Sequence, residues 1–432
     1  MGAMDGRNSP WIWLRPGMHV KRWLLLLIAG IVLIGLGLAF LLRQLYVDLT
    51  LPAAFYYLTL QFLSRPARAI ILGVMGLAAV LLALVQLNRS LLKPFVSAGQ
   101  ANVAEKIYQH HRRRRGPKIV VLGGGTGLST LLRGLKHHSD NITAIVSVAD
   151  DGGSSGRLRQ ATGMLPPGDI RQCLVALSEE EGVTGQLFQY RFGDQYGLGG
   201  HSFGNLFIAA MSDIAGSFEQ GVVESSRVLA VRGRVIPSTL KQVTLAADLR
   251  VENGHNGHGW QRVVGESAIP AAQREIVRVF LEPETVPAYP EAIKAILQAD
   301  MIIAGPGSLF TSVLPNLLVP GIAAAVRSSR ARKLYVCNVA TQPGETTDFD
   351  VDAHVRAMQR HVGDLFNVVL ANDHIIASRG EQAHLKPVPL PAGQPQDYTL
   401  LTADVIDEER PWRHDSTKLA QVIMAIFQEP HL

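Results

Sequence analysis

The strongest constraint on this chain is a run of 20 residues, Trp23 to Leu42, without a single charge. At about 1.5 Å per helical residue it makes roughly 30 Å of helix, the thickness of a bilayer's hydrocarbon core. Ala69 to Leu87 is a second such run, with Gln86 as its only strongly polar member. Hydropathy therefore predicts two spans, 23–42 and 69–87, within a membrane segment 1–93. Arg15, Lys21 and Arg22 precede the first run, and Arg89, Lys93, Lys106 and Arg112 to Arg115 follow the second. Both flanks read as cytoplasmic under the positive-inside bias, so the rest of the chain is expected in the cytoplasm. The connector is apolar enough that re-entry of residues 44–64 into the membrane stays open.

Charge divides the chain at the same place. Residues 1–116 hold 14 Lys and Arg against 3 Asp and Glu, whereas residues 117–432 hold 27 against 33. An acidic body argues against a nucleic-acid groove, which needs a positive face. The basic linker 94–116 ends in HHRRRRG. Arg112 to Arg115 read either as an anionic-lipid contact or as a solvated stop signal that only fixes topology. Two cysteines, Cys173 and Cys337, are too few for a disulfide framework or a four-thiolate zinc site.

From residue 117 the texture changes to short β-branched runs, each ending in a Gly-rich turn before a helical pattern, which predicts βαβ units and a parallel sheet. In KIVVLGGGTGLSTLLRGL the strand runs into Gly123, Gly124, Gly125, Thr126 and Gly127, then a helix with Leu128, Leu131, Leu132 and Leu135 on one face. Such a turn presents bare amides and a helix N-terminus, an arrangement suited to phosphate, although its spacing is not the dinucleotide fingerprint. Tight packing without a ligand would explain the glycines equally.

The second strand leads into VADDGGSSGRLR. Asp150 and Asp151 fall where a Rossmann-type protein reads a ribose hydroxyl, followed by Ser154, Ser155 and Arg157. Adjacent strand residues point to opposite faces, so one aspartate suffices for a ligand. Further loops expected at the same edge carry Asp169 and Arg171, then His201, Ser202 and Asn205. Helix capping would account for Asp169, and a hydrogen bond at a helix start for His201. Gly305, Pro306, Gly307 and Ser308, with Thr311 and Ser312 behind them, offer a second phosphate cradle. The next strand ends in Asn338 and Gln342, with Glu345 in its loop. Between these lies a segment, 227–269, with alternating apolar residues and an Asn253-Gly254 turn, read as an antiparallel β-rich insertion.

Taken together, GGGTGLSTLLRGL, VADDGGSSGRLR, PPGDIRQCLVAL, GHSFGNLF, GPGSLFTSVLPNLLV, CNVATQPGET and RPWRHDSTKLA resemble the YvcK-type gluconeogenesis factor family. That family is related to the CofD-like 2-phospho-L-lactate transferases. The resemblance implies a modified Rossmann-type sheet that binds a nucleotide derivative, with UDP-sugars such as UDP-N-acetylglucosamine as the ligand class. It also implies a non-catalytic regulator linked to carbon metabolism, cell-wall synthesis and cell shape in bacteria. Its nucleotide contacts are then Gly123, Gly124, Gly125, Thr126, Gly127, Asp150, Asp151, Ser154, Ser155, Arg157, Asp169, Arg171, His201, Asn205, Gly305, Gly307, Ser308, Thr311, Ser312, Asn338 and Gln342. The alternative is a magnesium-dependent transferase in which Asp150 or Asp151 holds the metal. Against it, GPGSLFT at 305–311 stands where the transferases have GPSNPxT. An oligomer remains open.

Overall fold

In a computed structural model of the protein, the described residues are 113–429 without 180–181, 195–196, 254–256 and 377–384, together with 29–39, 43, 57, 60 and 62–92. The chain divides into two compact units, Met1–Arg112 and Arg113–Leu432.

In the first unit, a helix spans Ala29–Ala39 within the first apolar run, and Arg65–Leu92 forms a 28-residue helix containing the second. The rest of 23–42, the re-entrant candidate 44–64 for the most part, and several side chains of the longer helix lie outside the described residues. Among the described residues no single helix is long and apolar enough to cross a membrane. The two spans expected from hydropathy are therefore not a feature of the described structure. Linker residues 94–112 also lie outside it.

The last linker residues belong to the second unit. The amide of Asp140 donates to the Arg113 carbonyl at 3.1 Å, and the Asn141 side-chain amide donates to the carbonyls of Arg114 and Gly116. The Arg113 side chain, mostly buried, lies 3.7 Å from the Asp140 carboxylate. The final turn of the basic linker, from Arg113 to Gly116, is thus hydrogen-bonded to the body.

The body is built on a seven-stranded sheet in which every neighbouring pair runs parallel, in the order β10-β9-β8-β7-β1-β2-β3. The strands are β1 (Ile119–Gly123), β2 (Ile142–Val146), β3 (Arg234–Pro237), β7 (Met301–Ala304), β8 (Arg332–Val336), β9 (Val368–Asn372) and β10 (Thr399–Ala403). Val120 and Leu122 of β1 pack into one core layer and Ile119 and Val121 into the other. Successive side chains point to opposite faces, so covering both faces explains why these strands read as unbroken apolar runs.

A separate antiparallel sheet has β4 (Thr244–Asn253) between β5 (Gly257–Val264) and β6 (Ile276–Glu282). It covers 244–282 rather than 227–269. The early part of the expected segment instead supplies β3, which pairs with β2 at the edge of the main sheet, and β6 extends the insertion beyond its expected end.

Helix α1 (Gly125–Leu135) follows β1 directly and buries Leu128, Leu131, Leu132 and Leu135, the face expected from periodicity. The chain winds from β1 outward through β2 and β3, then returns to β7 beside β1 and winds the other way. Strand order thus reverses between β1 and β7, where open α/β sheets present a crevice at the carboxyl ends of their strands. The turns Gly123–Gly127 and Gly305–Ser308 leave the sheet at that point.

A candidate nucleotide crevice

The two glycine turns touch. A Cβ on Gly127 would lie 2.6 Å from the Pro306 carbonyl oxygen and 2.9 Å from the Gly307 Cα, so only glycine permits this approach. Gly125 sits at φ +64°, in the left-handed region. Gly124 precedes α1 without a side chain to cap its first amides, and a Cβ there would strike the Asp169 carboxylate. Asp169 begins helix α2 (Gly168–Leu177) and accepts the Gly125 amide from beneath the turn. Burial, with the nearby Asp150 charge, raises its carboxyl to about 7.

At the second turn, the Gly307 amide donates to Asn338 Oδ1 at 3.1 Å, and Asn338 Nδ2 donates to Gln342 Oε1 at 3.2 Å. Asn338 and Gln342 therefore brace the turn from the end of β8. Helical segment α3 (Leu309–Leu317) starts with a wide π turn. Ser308 donates to Glu345, and Thr311 Oγ1 donates to the other Glu345 oxygen at 3.2 Å.

Between and above these turns is a cavity of about 480 Å³ lined by Gly124 to Gly127, Pro306 to Ser308, Ser312, Asn338, Gln342 and Glu345, with Trp412, Arg413 and His414. A second cavity of about 580 Å³ adjoins it through Thr126, Thr130, Arg413 and His414. Its lining adds Arg133, Arg171, Arg191 and Arg410. The pair combines a glycine-rich turn, polar side chains and a cationic recess, a set suited to an anionic ligand with neutral hydrogen-bonding groups.

The aspartates after β2 separate. Asp150 accepts the Gly152 amide at 2.9 Å and has its carboxyl raised, first by burial. Asp151 turns to the insertion and accepts from the Ser267 amide at 3.0 Å and its hydroxyl at 2.8 Å. The sequence alone left either aspartate as ligand; the structure commits Asp151 to holding the loop after β5. That loop also contributes Glu266, raised to about 8 by burial and by the charges of Asp150, Asp169, Asp151 and Glu345.

Another predicted group forms a network of its own. Arg171 Nε donates to Asn205 Oδ1 at 2.9 Å, and Asn205 Nδ2 donates to Ser154 Oγ at 3.0 Å. Ser154 Oγ lies 3.1 Å from His201 Nδ1, and Arg157 Nε donates to His201 Nε2 at 3.4 Å. Asn205 also reaches Ser155 at 3.5 Å. Burial, then the Arg157 charge, lowers the His201 pKa, which favours its neutral ring. Ser154, Ser155, Arg157, His201 and Asn205 line neither of the two cavities. Gly123 and Gly305 act behind the crevice through their backbones: Asn316 Nδ2 donates to the Gly123 carbonyl at 3.0 Å, and the Gly305 amide donates to Leu122 at 2.9 Å.

Sequence reasoning passed over Glu266, which lines neither cavity but feels the charges of Asp150 and Asp169, and over the cavity residues Arg410, Trp412, Arg413 and His414. The last four come from the turn after β10, and RPWRHD is dense in aromatic and cationic residues. Reading this turn as another carboxyl-edge loop would have found them. Glu266 carries no such signal, because it enters from the insertion.

For magnesium, the Asp150 and Asp151 side chains face different partners. Among the described residues no three His, Cys, Asp or Glu side chains are grouped to hold a metal ion. The two carboxylates therefore do not converge on one ion, and Asp151 is engaged at the insertion.

Residues 119–430 match the family described as 2-phospho-L-lactate transferase CofD. A putative gluconeogenesis factor from Nostoc sp. is 45% identical over 98% of this chain and 94% of its own length. The gluconeogenesis factor of Bacillus subtilis is 45% identical over 72% of this chain and 99% of its own. A crystal structure of a UPF0052 family member from Bacillus halodurans aligns with a TM-score of 0.66 at 43% identity, covering 72% of this chain and 99% of that one. The Nostoc match extends over nearly the whole chain, N-terminal unit included. With its parallel sheet, its glycine turns and these matches, the chain belongs to the gluconeogenesis factor family and carries a CofD-like domain.

Proposed function

We propose that the protein binds a UDP-sugar in the crevice between the turns Gly124–Gly127 and Gly305–Ser308 and acts as a membrane-tethered regulator rather than as a transferase. The observation that carries this reading is the pairing of cavities at the sheet's reversal point. One is lined mainly by glycines and neutral polar groups, with Glu345, and the other by five arginines against two aspartates, Asp407 and Asp415. A sugar nucleotide has parts for both: a diphosphate for cations and bare amides, and a neutral, hydroxyl-rich sugar for the side chains of Asn338, Gln342 and Ser312. Asp169, raised to about 7, retains its proton in part near neutrality, so the phosphate-facing turn is not opposed by a full negative charge.

Tethering is supported by the two charge-free runs and by the outward apolar side chains of the Arg65–Leu92 helix, among them Ile70, Val74 and Leu77, each more than 60% exposed. Arg114 and Arg115 are exposed, and the anionic-lipid contact is assigned to them on their charge. Links to carbon metabolism, cell-wall synthesis and cell shape follow from the family resemblance.

The test is a thermal-shift panel of UDP-N-acetylglucosamine, UDP-glucose, GDP, deazaflavin and NAD on the full chain in detergent. At one hundred times its dissociation constant a ligand adds about 2.7 kcal/mol to stability. A shift with UDP-sugars alone is expected. No shift with either UDP-sugar would remove the reading. In cell fractions, the full chain should sediment with membranes after carbonate washing, and a chain lacking residues 1–112 should not.

A further inference from the structure

The Gly305–Ser308 turn has the features of an anion cradle, and an anion already sits in it. Glu345 reaches back from the loop after β8. It accepts from Ser308 Oγ and from Thr311 Oγ1 at one side, and from the backbone amides of Phe310 and Thr311 at the start of α3. Thr311 Oγ1 also lies 2.7 Å from Ser308 Oγ, which ties the two hydroxyls together. The two hydroxyl protons are thereby turned onto Glu345 and onto each other rather than toward the cavity. The first turn is different: α1 has no side-chain cap, and Asp169 accepts the Gly125 amide.

We infer that Glu345 is a built-in anion that closes the second cradle to phosphate and so sets the crevice's specificity, admitting a diphosphate whose far end is esterified to a neutral group and rejecting one with a free terminal phosphate. This rests on the nucleotide-sugar reading of the same crevice. The glycine turn at 124–127 and the arginine-lined recess remain for the diphosphate. The side of the cavity lined by Ser308, Asn338, Gln342 and Glu345 receives the neutral end. A free terminal phosphate placed there would meet the Glu345 charge with its donors already used, and like charges at short range in a shielded site repel strongly.

Glu345→Gln removes the charge while keeping an acceptor oxygen for Ser308 and Thr311; Glu345→Ala also opens the space. The full chain in detergent is titrated calorimetrically with UDP-N-acetylglucosamine, UDP and inorganic pyrophosphate, and each variant's folding is checked by its melting curve. The unmodified protein should bind UDP-N-acetylglucosamine at least about tenfold more tightly than UDP, and either variant should lose most of that preference through a gain in UDP affinity. Pyrophosphate should bind at least about tenfold more tightly to both variants than to the parent.

Equal affinity of the parent for UDP and UDP-N-acetylglucosamine overturns the inference even when neither variant folds. Unchanged pyrophosphate affinity in folded variants overturns it as well. A parent that binds no nucleotide, with variants that gain pyrophosphate, removes the UDP-sugar reading and leaves Glu345 as the occupant of the cradle.

Discussion

The two glycine turns at the centre of the sheet look alike in sequence and are finished differently in space. Each follows a buried strand, opens a helical segment and has a carboxylate beneath or beside it. At the first, Asp169 has one amide donor named above and acidic neighbours, and its carboxyl is raised to about 7. At the second, burial raises the Glu345 carboxyl as well, but the Ser308 and Thr311 hydroxyls and the start of α3 partly offset that push. A glycine turn thus supplies an anion-binding geometry, and the carboxylate brought to it by another part of the chain determines whether that geometry remains open.

The largest expected effect is a pH dependence carried by the carboxyls behind the first turn. Asp169 is raised from 3.8 to about 7 and Glu266 from 4.5 to about 8, so in the folded protein both keep protons that the unfolded chain releases. Their contribution favours folding at low pH and is lost as pH rises from about 4 towards 8. A shift of about three units corresponds to roughly 4 kcal/mol for one such group. Asp169→Asn retains an acceptor for the Gly125 amide and should flatten this dependence in urea melts at pH 5 and pH 8. A slope equal to the parent's would show that Asp169 is already ionised in the fold.

Steric tests come next. Gly127→Ala forces a Cβ against the Pro306 carbonyl and should cost about 3 kcal/mol, the upper end for an overpacked site. Gly125→Ala meets only the left-handed backbone, with no atom closer than 3.9 Å, and should cost about 1 kcal/mol. Equal melting losses would mean the turns are not in contact at Gly127.

Arg171→Ala removes the donor to Asn205 and to the Phe188 carbonyl, at 2.9 and 3.2 Å, and should cost about 2 kcal/mol. It should also weaken UDP-sugar binding, since Arg171 lines the cationic recess. Normal calorimetric affinity would place the phosphates elsewhere.

The smallest effect is expected at Asp151. Asp151→Ala loses the two bonds to Ser267 and should cost about 1 kcal/mol, with UDP-sugar affinity unchanged. A tenfold loss of affinity would return Asp151 to the crevice.

Much of the body was legible because its signals are local. The apolar run Ile119–Leu122, the glycines behind it and the leucine face of α1 each follow from spacing along a few residues. The loops carrying Ser308, Asn338 and Gln342 could likewise be placed at one sheet edge, because parallel strands deliver their outgoing loops to the same side. The insertion was recognisable by its alternation, but its limits were not. Arg234–Pro237 is as β-like as its neighbours, and only pairing with β2 assigns it to the main sheet. The division of Asp150 from Asp151 was equally hidden, since Ser267 is 116 residues away.

Sequence by itself determined the elements: which segments are strands, where the backbone needs glycine, and where charge falls along the chain. These depend on side-chain pattern and backbone sterics within a few residues. Tertiary structure decided the occupants. It brought Glu345 into the second cradle, Glu266 beside Asp150 and Asp169, and Arg413 and His414 between the two cavities. Burial and through-space charge depend on neighbours distant in the chain, and the order of strands in the sheet decides which neighbours those are.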